Sequence, residues 1–183
     1  MMIDELYERI ARLEAAVAQL TARASNSVSR GTMTAANDSG GMQMHTVSGY
    51  YGEELDKLPV WQPFGLSATC PAGGDALIAC IGGNRDGAQV VAVSHPSYRP
   101  TGTAEGETVL YDAYGQRVAL GASGITITDR YGNSVSMGVS GITLTAARVE
   151  IQSGTLTHNG TNIGATHVHS GVVAGVGNTG GPQ

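Results

Sequence analysis

His167 and His169 are the residues whose types and spacing best suit chemistry; they lie in the run Ala165-Thr166-His167-Val168-His169-Ser170-Gly171. In a β-strand, residues two apart project from one face with origins roughly 6.5 Å apart, so both imidazoles can converge on one ion while Val168 faces the other way. One chain supplies only two nitrogens, and the segment after Glu150 holds no Asp, Glu, Cys, Lys or Arg to add a ligand or a counter-charge. A complete site therefore needs other chains, His158 or water. Three copies meeting on a three-fold axis would bring six nitrogens together, an octahedral set that suits iron or nickel better than tetrahedral zinc. Such an ion has no open position for substrate or activated water, so it acts as a clamp. The second ring nitrogens must then donate to backbone carbonyls or water. Taken alone, His-x-His reads as two polar residues on a solvated strand; the elements that carry it decide between the readings.

Those elements are built from a sparse apolar inventory. The chain has 183 residues, with one Phe and one Trp beside 27 Gly, a poor stock for a large monomeric core. Burial between chains is the natural remedy. The net charge of −5 and the single lysine, Lys57, leave no basic stripe for phosphates, so nucleic acid is not an expected partner. Cys70 and Cys80 flank Pro71-Ala72-Gly73-Gly74 between two apolar stretches. A disulfide across adjacent strands is one reading, and two apolar core thiols in a protein folded in the cytoplasm is the favoured one. The N-terminus lacks a basic start followed by an apolar stretch, and no run approaches the roughly 18 apolar residues of a membrane span. Neither secretion by a signal peptide nor an integral membrane location is expected.

Residues 3 to 20 place Ile3, Leu6, Ile10, Leu13, Val17 and Leu20 at alternating spacings of three and four, which predicts a helix with a heptad seam. Ile and Val at a with Leu at d favour dimers in parallel coiled coils, a soft preference over fewer than three heptads. The helix could equally pack on its own β-domain or on a partner. Thr21 to Arg30 reads as a linker.

From about Ser29 to Arg99 short apolar strands alternate with turn residues. The expected strands are Gly31–Thr34, Met42–Val47, Gly65–Cys70, Ala76–Ile81 and Gln89–Val93, a set that suits a small, partly closed barrel of the OB type. Tyr50, Tyr51, Trp61 and Phe64 surround an acidic loop, Gly52 to Pro59, and read as core or interface packing rather than as a platform for bases. His45 and His95 have no paired ligand nearby and read as structural.

An internal repeat follows. Asp112 to Thr128 matches Asp129 to Thr145 at a shift of seventeen, each copy reading as strand, Gly turn, strand. Val118, Leu120, Ile125 and Ile127, and then Val135, Met137, Ile142 and Leu144, alternate with Thr, Ser and small residues, so one face is apolar and the other polar. A looser third copy runs through Arg148–Ile151 and Thr155–Thr157. Two or three such units cannot bury an apolar face within one chain. Three chains wound about one axis could, and would also remove exposed strand edges and place His167 and His169 on that axis.

The sequence resembles the baseplate assembly protein V family, the central tail spike of contractile-tailed phages, and most closely its Mu-type members. The resemblance rests on Pro63-Phe64-Gly65-Leu66-Ser67, Gly82-Gly83-Asn84-Arg85, Tyr98-Arg99-Pro100, Gly106 to Asp112, His167-Val168-His169-Ser170-Gly171 and Asn178 to Gln183. Val168 stands where members commonly carry a polar residue such as Thr. The resemblance implies a mainly β homotrimer, with an N-terminal amphipathic helix over residues 1–24, an OB-fold domain over 25–100, an intertwined triple-stranded β-helix over 101–164 and a metal-binding tip over 165–183. It also implies one iron ion per trimer held octahedrally by His167 and His169 of three chains, another divalent metal being the alternative. The implied partners are the baseplate hub, the tail tube and the host outer membrane, and the implied location is the virion tail tip after assembly in the host cytoplasm.

A non-catalytic, membrane-piercing spike is therefore the leading expectation. The rivals are a carbohydrate-binding or carbohydrate-degrading tail spike and a metal hydrolase with an open His site. Glycosidases need two carboxyl groups across a cleft. Asp112, Asp129 and Glu150 sit at repeat-related or turn positions and read as structural.

Overall fold

A computed structural model describes residues 2–168, 170, 171 and 175, the side chains of Met2 and Tyr51 excepted. The described chain is mainly β with one N-terminal helix, and its first 145 residues form one compact unit while residues 146–183 form another. Within the first unit, helix α1 spans Met2–Asn26. Asp4 and Glu5 in its first turn and Arg23 in its last complement the helix dipole. Ser27 ends it by donating both its amide and its hydroxyl to the Ala24 carbonyl, at 3.2 and 2.7 Å. The stretch expected to be a linker is thus mostly helix and strand. Ala22, Arg23 and Ala24 are strong helix formers that carry α1 onward, and only Ser27 separates it from β1. Glycine is required at Gly83, where φ is +70° and a Cβ would strike the Arg23 backbone, so the last turn of α1 sits close against this loop.

Five strands follow: β1 (Val28–Asn37), β2 (Met44–Ser48), β3 (Glu54–Pro59), β4 (Asp75–Cys80) and β5 (Ala88–Ser94). They form one antiparallel sheet in the order β3-β2-β1-β4-β5, and a parallel bridge between Val60 and Val90 joins its two ends. The enclosed core is Met33, Val47, Leu58, Val60, Ala76, Ile78, Cys80, Ala88 and Val90. Four of the expected strands appear, with β1 extended at both ends. The third does not: Gly65–Cys70 is irregular, and the acidic segment read as a loop supplies β3 instead.

Both differences have a local cause. In β3 the partners run His45 with Leu58 and Val47 with Leu55, so two residues, Asp56 and Lys57, oppose Thr46 alone. This bulge, with Lys57 at φ 56°, turns Leu55 and Leu58 toward the core although they are three apart, which breaks the alternation by which a strand is recognised. In the segment that is not a strand, the Gln62 side chain takes the place of a neighbouring strand. Its Oε1 accepts from the Ala68 amide at 2.7 Å, and its Nε2 donates to the Ala68 carbonyl at 3.0 Å.

A second antiparallel sheet contains β6 (Thr108–Tyr111), β7 (Arg117–Gly121), β8 (Gly124–Thr128), β9 (Ser134–Gly138) and β10 (Gly141–Thr145), in simple meander order. The seventeen-residue repeat is the period of this meander. At each repeat start a carboxylate organises the turn. Asp112 accepts from the Tyr114 and Gln116 amides at 2.8 and 3.0 Å, and Asp129 accepts from those of Tyr131 and Asn133 at 2.8 and 2.9 Å. At the start of β8, Gly124 lies at φ +128° and a Cβ there would strike the Met137 carbonyl, so the β8–β9 approach also requires glycine.

In the second unit, Arg148–Ile151 is not a strand, and Arg148 pairs with Glu150 in place of extending the repeat. A short hairpin pairs β11 (Thr157–His158) with β12 (Thr161–Asn162) through Asn159 and Gly160, both at positive φ.

Candidate interchain face and metal tip

The register of the second sheet sorts its side chains into rows. Leu110, Val118, Ile127, Val135 and Leu144 lie opposite one another across all five strands, and Leu120, Ile125, Met137 and Ile142 form a second row on the same face. The opposite face carries Val109, Ala119, Thr126, Ser136 and Thr143. Among the described residues nothing covers the apolar face, and none beyond Val90 is buried. Leu110 is 57% and Ile142 72% exposed. Completing the burial of each half-exposed aliphatic side chain is worth about 1 kcal/mol, so these rows represent several kcal/mol per chain available to association.

His167, by contrast, belongs to the second unit and lies just after the turn at Gly164–Thr166, outside any strand. The strand expected to align the His pair is therefore absent at its first member, because the chain turns immediately after β12. His169 lies outside the described residues. The ring Nδ1 of His167 is 2.6 Å from the Gly164 carbonyl oxygen. A carbonyl only accepts, so Nδ1 carries the proton and the lone pair is on Nε2, the tautomer of an imidazole that binds metal through Nε2. Among the described residues no group of three or more His, Cys, Asp or Glu gathers as a cation site, and His158 stands exposed in the hairpin. The donor set of one chain fits a metal only as a fraction of a larger site.

The remaining candidates resolve into structural roles. His45 is completely buried, with Nε2 2.9 Å from Gln43 Oε1. Gln43 in turn donates to Thr69 at 2.8 Å and accepts from Gln62 at 3.1 Å, so one polar network ties the irregular loop after β3 to the barrel. Sequence reasoning missed it, since it joins two segments, Gln43–His45 and Gln62–Thr69, that are separated along the chain. Burial lowers the His45 pKa, partly opposed by the charge of Asp38. His95 packs against Tyr98 with ring centroids 4.4 Å apart and planes tilted by 50°, accepts from the Ser97 amide and donates to the Ala72 carbonyl.

Cys70 and Cys80 are free thiols against the barrel core, and burial pushes the Cys70 thiol up. Tyr50, Trp61 and Phe64 are not core residues: Trp61 is 58% and Phe64 fully exposed. Arg85 forks onto Glu53, with Nε 2.7 Å from Oε1, and links the Gly82-Gly83-Asn84-Arg85 turn to the segment before β3. Asp112 and Asp129 accept from turn amides and Glu150 pairs with Arg148, the structural roles expected of them. No helix among the described residues is long and apolar enough to cross a membrane.

Comparison with known proteins places these elements. Residues 30–97, which take in β2 to β5 and all of β1 beyond its first two residues, match the family described as Bacteriophage Mu Gp45, N-terminal. The chain is similar to the baseplate puncturing device gp45 of Escherichia phage Mu, at 32% identity over 97 residues, covering 53% of this chain and 49% of that protein. It is also 30% identical over 100 residues to the Mu-like prophage FluMu protein gp45 of Haemophilus influenzae, covering 55% and 54% of the two. The chain thus spans about half the length of the curated relatives it matches. Over residues 30–97, then, the chain is similar to the Bacteriophage Mu Gp45 N-terminal family.

Proposed function

We propose that this protein is the central spike of a contractile phage tail baseplate, a non-catalytic homotrimer that pierces the host outer membrane when the sheath contracts. The observation that carries this reading is the pair of aliphatic rows on the second sheet, which a single chain leaves uncovered. Three copies with those rows turned inward make a β-helix over residues 101–164. The similarity to a protein named baseplate puncturing device supplies the setting. The strand order and the Val60–Val90 closure support an OB-type collar over 25–100, and the hub and tail tube are its partners in the virion. His167 and His169 of three chains hold one iron, or another divalent ion, in the tip at 165–183, where the ion clamps three chain ends together. The Nδ1 proton of His167, fixed by Gly164, supports that role.

Weighing the native particle in solution together with elemental analysis tests this reading. One metal per three chains is the expected result. A folded monomer would remove the spike, and a metal bound by single chains would favour an open, hydrolase-type site.

A further inference from the structure

We infer that α1 is the strand of a parallel coiled coil formed with α1 of other copies of this chain. The last turn of the helix meets the barrel at Gly83, yet all six seam residues, Ile3, Leu6, Ile10, Leu13, Val17 and Leu20, are exposed. The seam is therefore not used within the chain. Its flanks name the occupant. With Ile3 at a, position g of the first heptad is Arg9 and position e of the second is Glu14. In a parallel pair of identical helices, g faces the e residue five positions further along the neighbour, so Arg9 meets the Glu14 of a second copy, and symmetry repeats the pair at every helix contact. An antiparallel pair with the same seam overlap sets like positions together, Arg9 against Ala16 and Glu14 against Tyr7, and leaves both charges unmatched.

Among the described residues neither charge is engaged in an ion pair, and the pair of Arg12 with Glu8 at 3.3 Å uses outward positions c and f. The ion pair sets orientation, while burial of the aliphatic seam supplies the affinity. The body favours the same geometry. Only Ser27 lies between α1 and β1, so helices from copies joined through their β-domains leave the barrels with one polarity. The number of helices in the bundle rests on the trimer proposed above; the parallel seam does not.

Leu6 sits near the free end of α1, far along the chain from the barrel, and at a d position that faces its own counterpart only in the parallel register. The full chain carrying Leu6→Cys should form covalent dimers under mild oxidation, while the unaltered chain, with its two core thiols, should not. Mixing Leu6→Cys with Val17→Cys should give no heterodimeric cross-link, which is the antiparallel product. Arg9→Glu alone should lower the thermal midpoint of the helical signal by roughly 5 °C, and adding Glu14→Arg should restore it. Absence of the Leu6→Cys cross-link in a particle that still weighs as a trimer would overturn the coiled coil, leave the spike intact and assign α1 to a different protein. A monomeric particle without the cross-link would sink both.

Discussion

His167 donates from Nδ1 to the carbonyl oxygen of Gly164 across 2.6 Å, so the turn after β12 sets the tautomer of the first His of the pair. Replacing His167 and His169 with Ala should abolish metal binding, leave the trimer assembled, and raise hydrogen exchange mainly from about Ile163 onward. In the proposed trimer the upstream rows would bury far more surface than one local site, while the Gly-rich end has little apolar bulk to oppose its chain entropy. Exchange mass spectrometry with particle weighing checks this. Failure of the double variant to trimerise would make the metal a folding nucleus.

Assembly should depend on the aliphatic rows and not on α1. A fragment beginning near Gly106 should sediment as a trimer, and deletion of Met1 to Arg23 should leave the full particle trimeric. Ile127→Asp, at the centre of its five-residue row, should disperse either form. A carboxylate with no partner in an apolar interface costs several kcal/mol per copy. Sedimentation equilibrium reads all three, and a trimeric Ile127→Asp variant would place the interface elsewhere.

Barrel stability should fall on mild acidification because of His45. Burial depresses its pKa in the folded state, so the unfolded chain takes up a proton first as pH drops below about 6.5. The stabilisation is fully present above that pH and is lost as pH falls toward the folded value, at up to about 1.4 kcal/mol per pH unit. Denaturant melts between pH 7.5 and 5 should show this slope, and His45→Gln should flatten it.

The two repeat turns should behave alike. Slight desolvation raises the Asp112 pKa, but the hydrogen bonds from Gln116 and Tyr114 outweigh it, and the net shift is downward. The side-chain amide of Asn133 leads the downward shift at Asp129. Both carboxyls should therefore titrate below the ordinary Asp range by NMR. Asp129→Ala should accelerate exchange at the Tyr131 and Asn133 amides while leaving those of Tyr114 and Gln116 unchanged.

Much of this protein is legible without coordinates, wherever a local period governs. The heptad seam of α1, the two-residue alternation of β7 to β10 and the seventeen-residue repeat follow from side-chain geometry within a few residues, and the structure carries each of them. Free thiols at Cys70 and Cys80 follow in the same way from their apolar neighbours. What only the tertiary structure decided arises where a bulge, a turn or a polar side chain overrides the alternation. The bulge at Asp56–Lys57 makes a strand of an acidic segment, because it turns Leu55 and Leu58 to one face. The Gln62 side chain satisfies Ala68 and so keeps an apolar stretch from pairing. The turn at Gly164–Thr166 takes His167 out of a strand and gives it a carbonyl partner instead. In each case a bulge, a side chain or a turn took the chain out of the ladder to which the alternation of side chains pointed, and a pattern read along the chain carries no record of that choice.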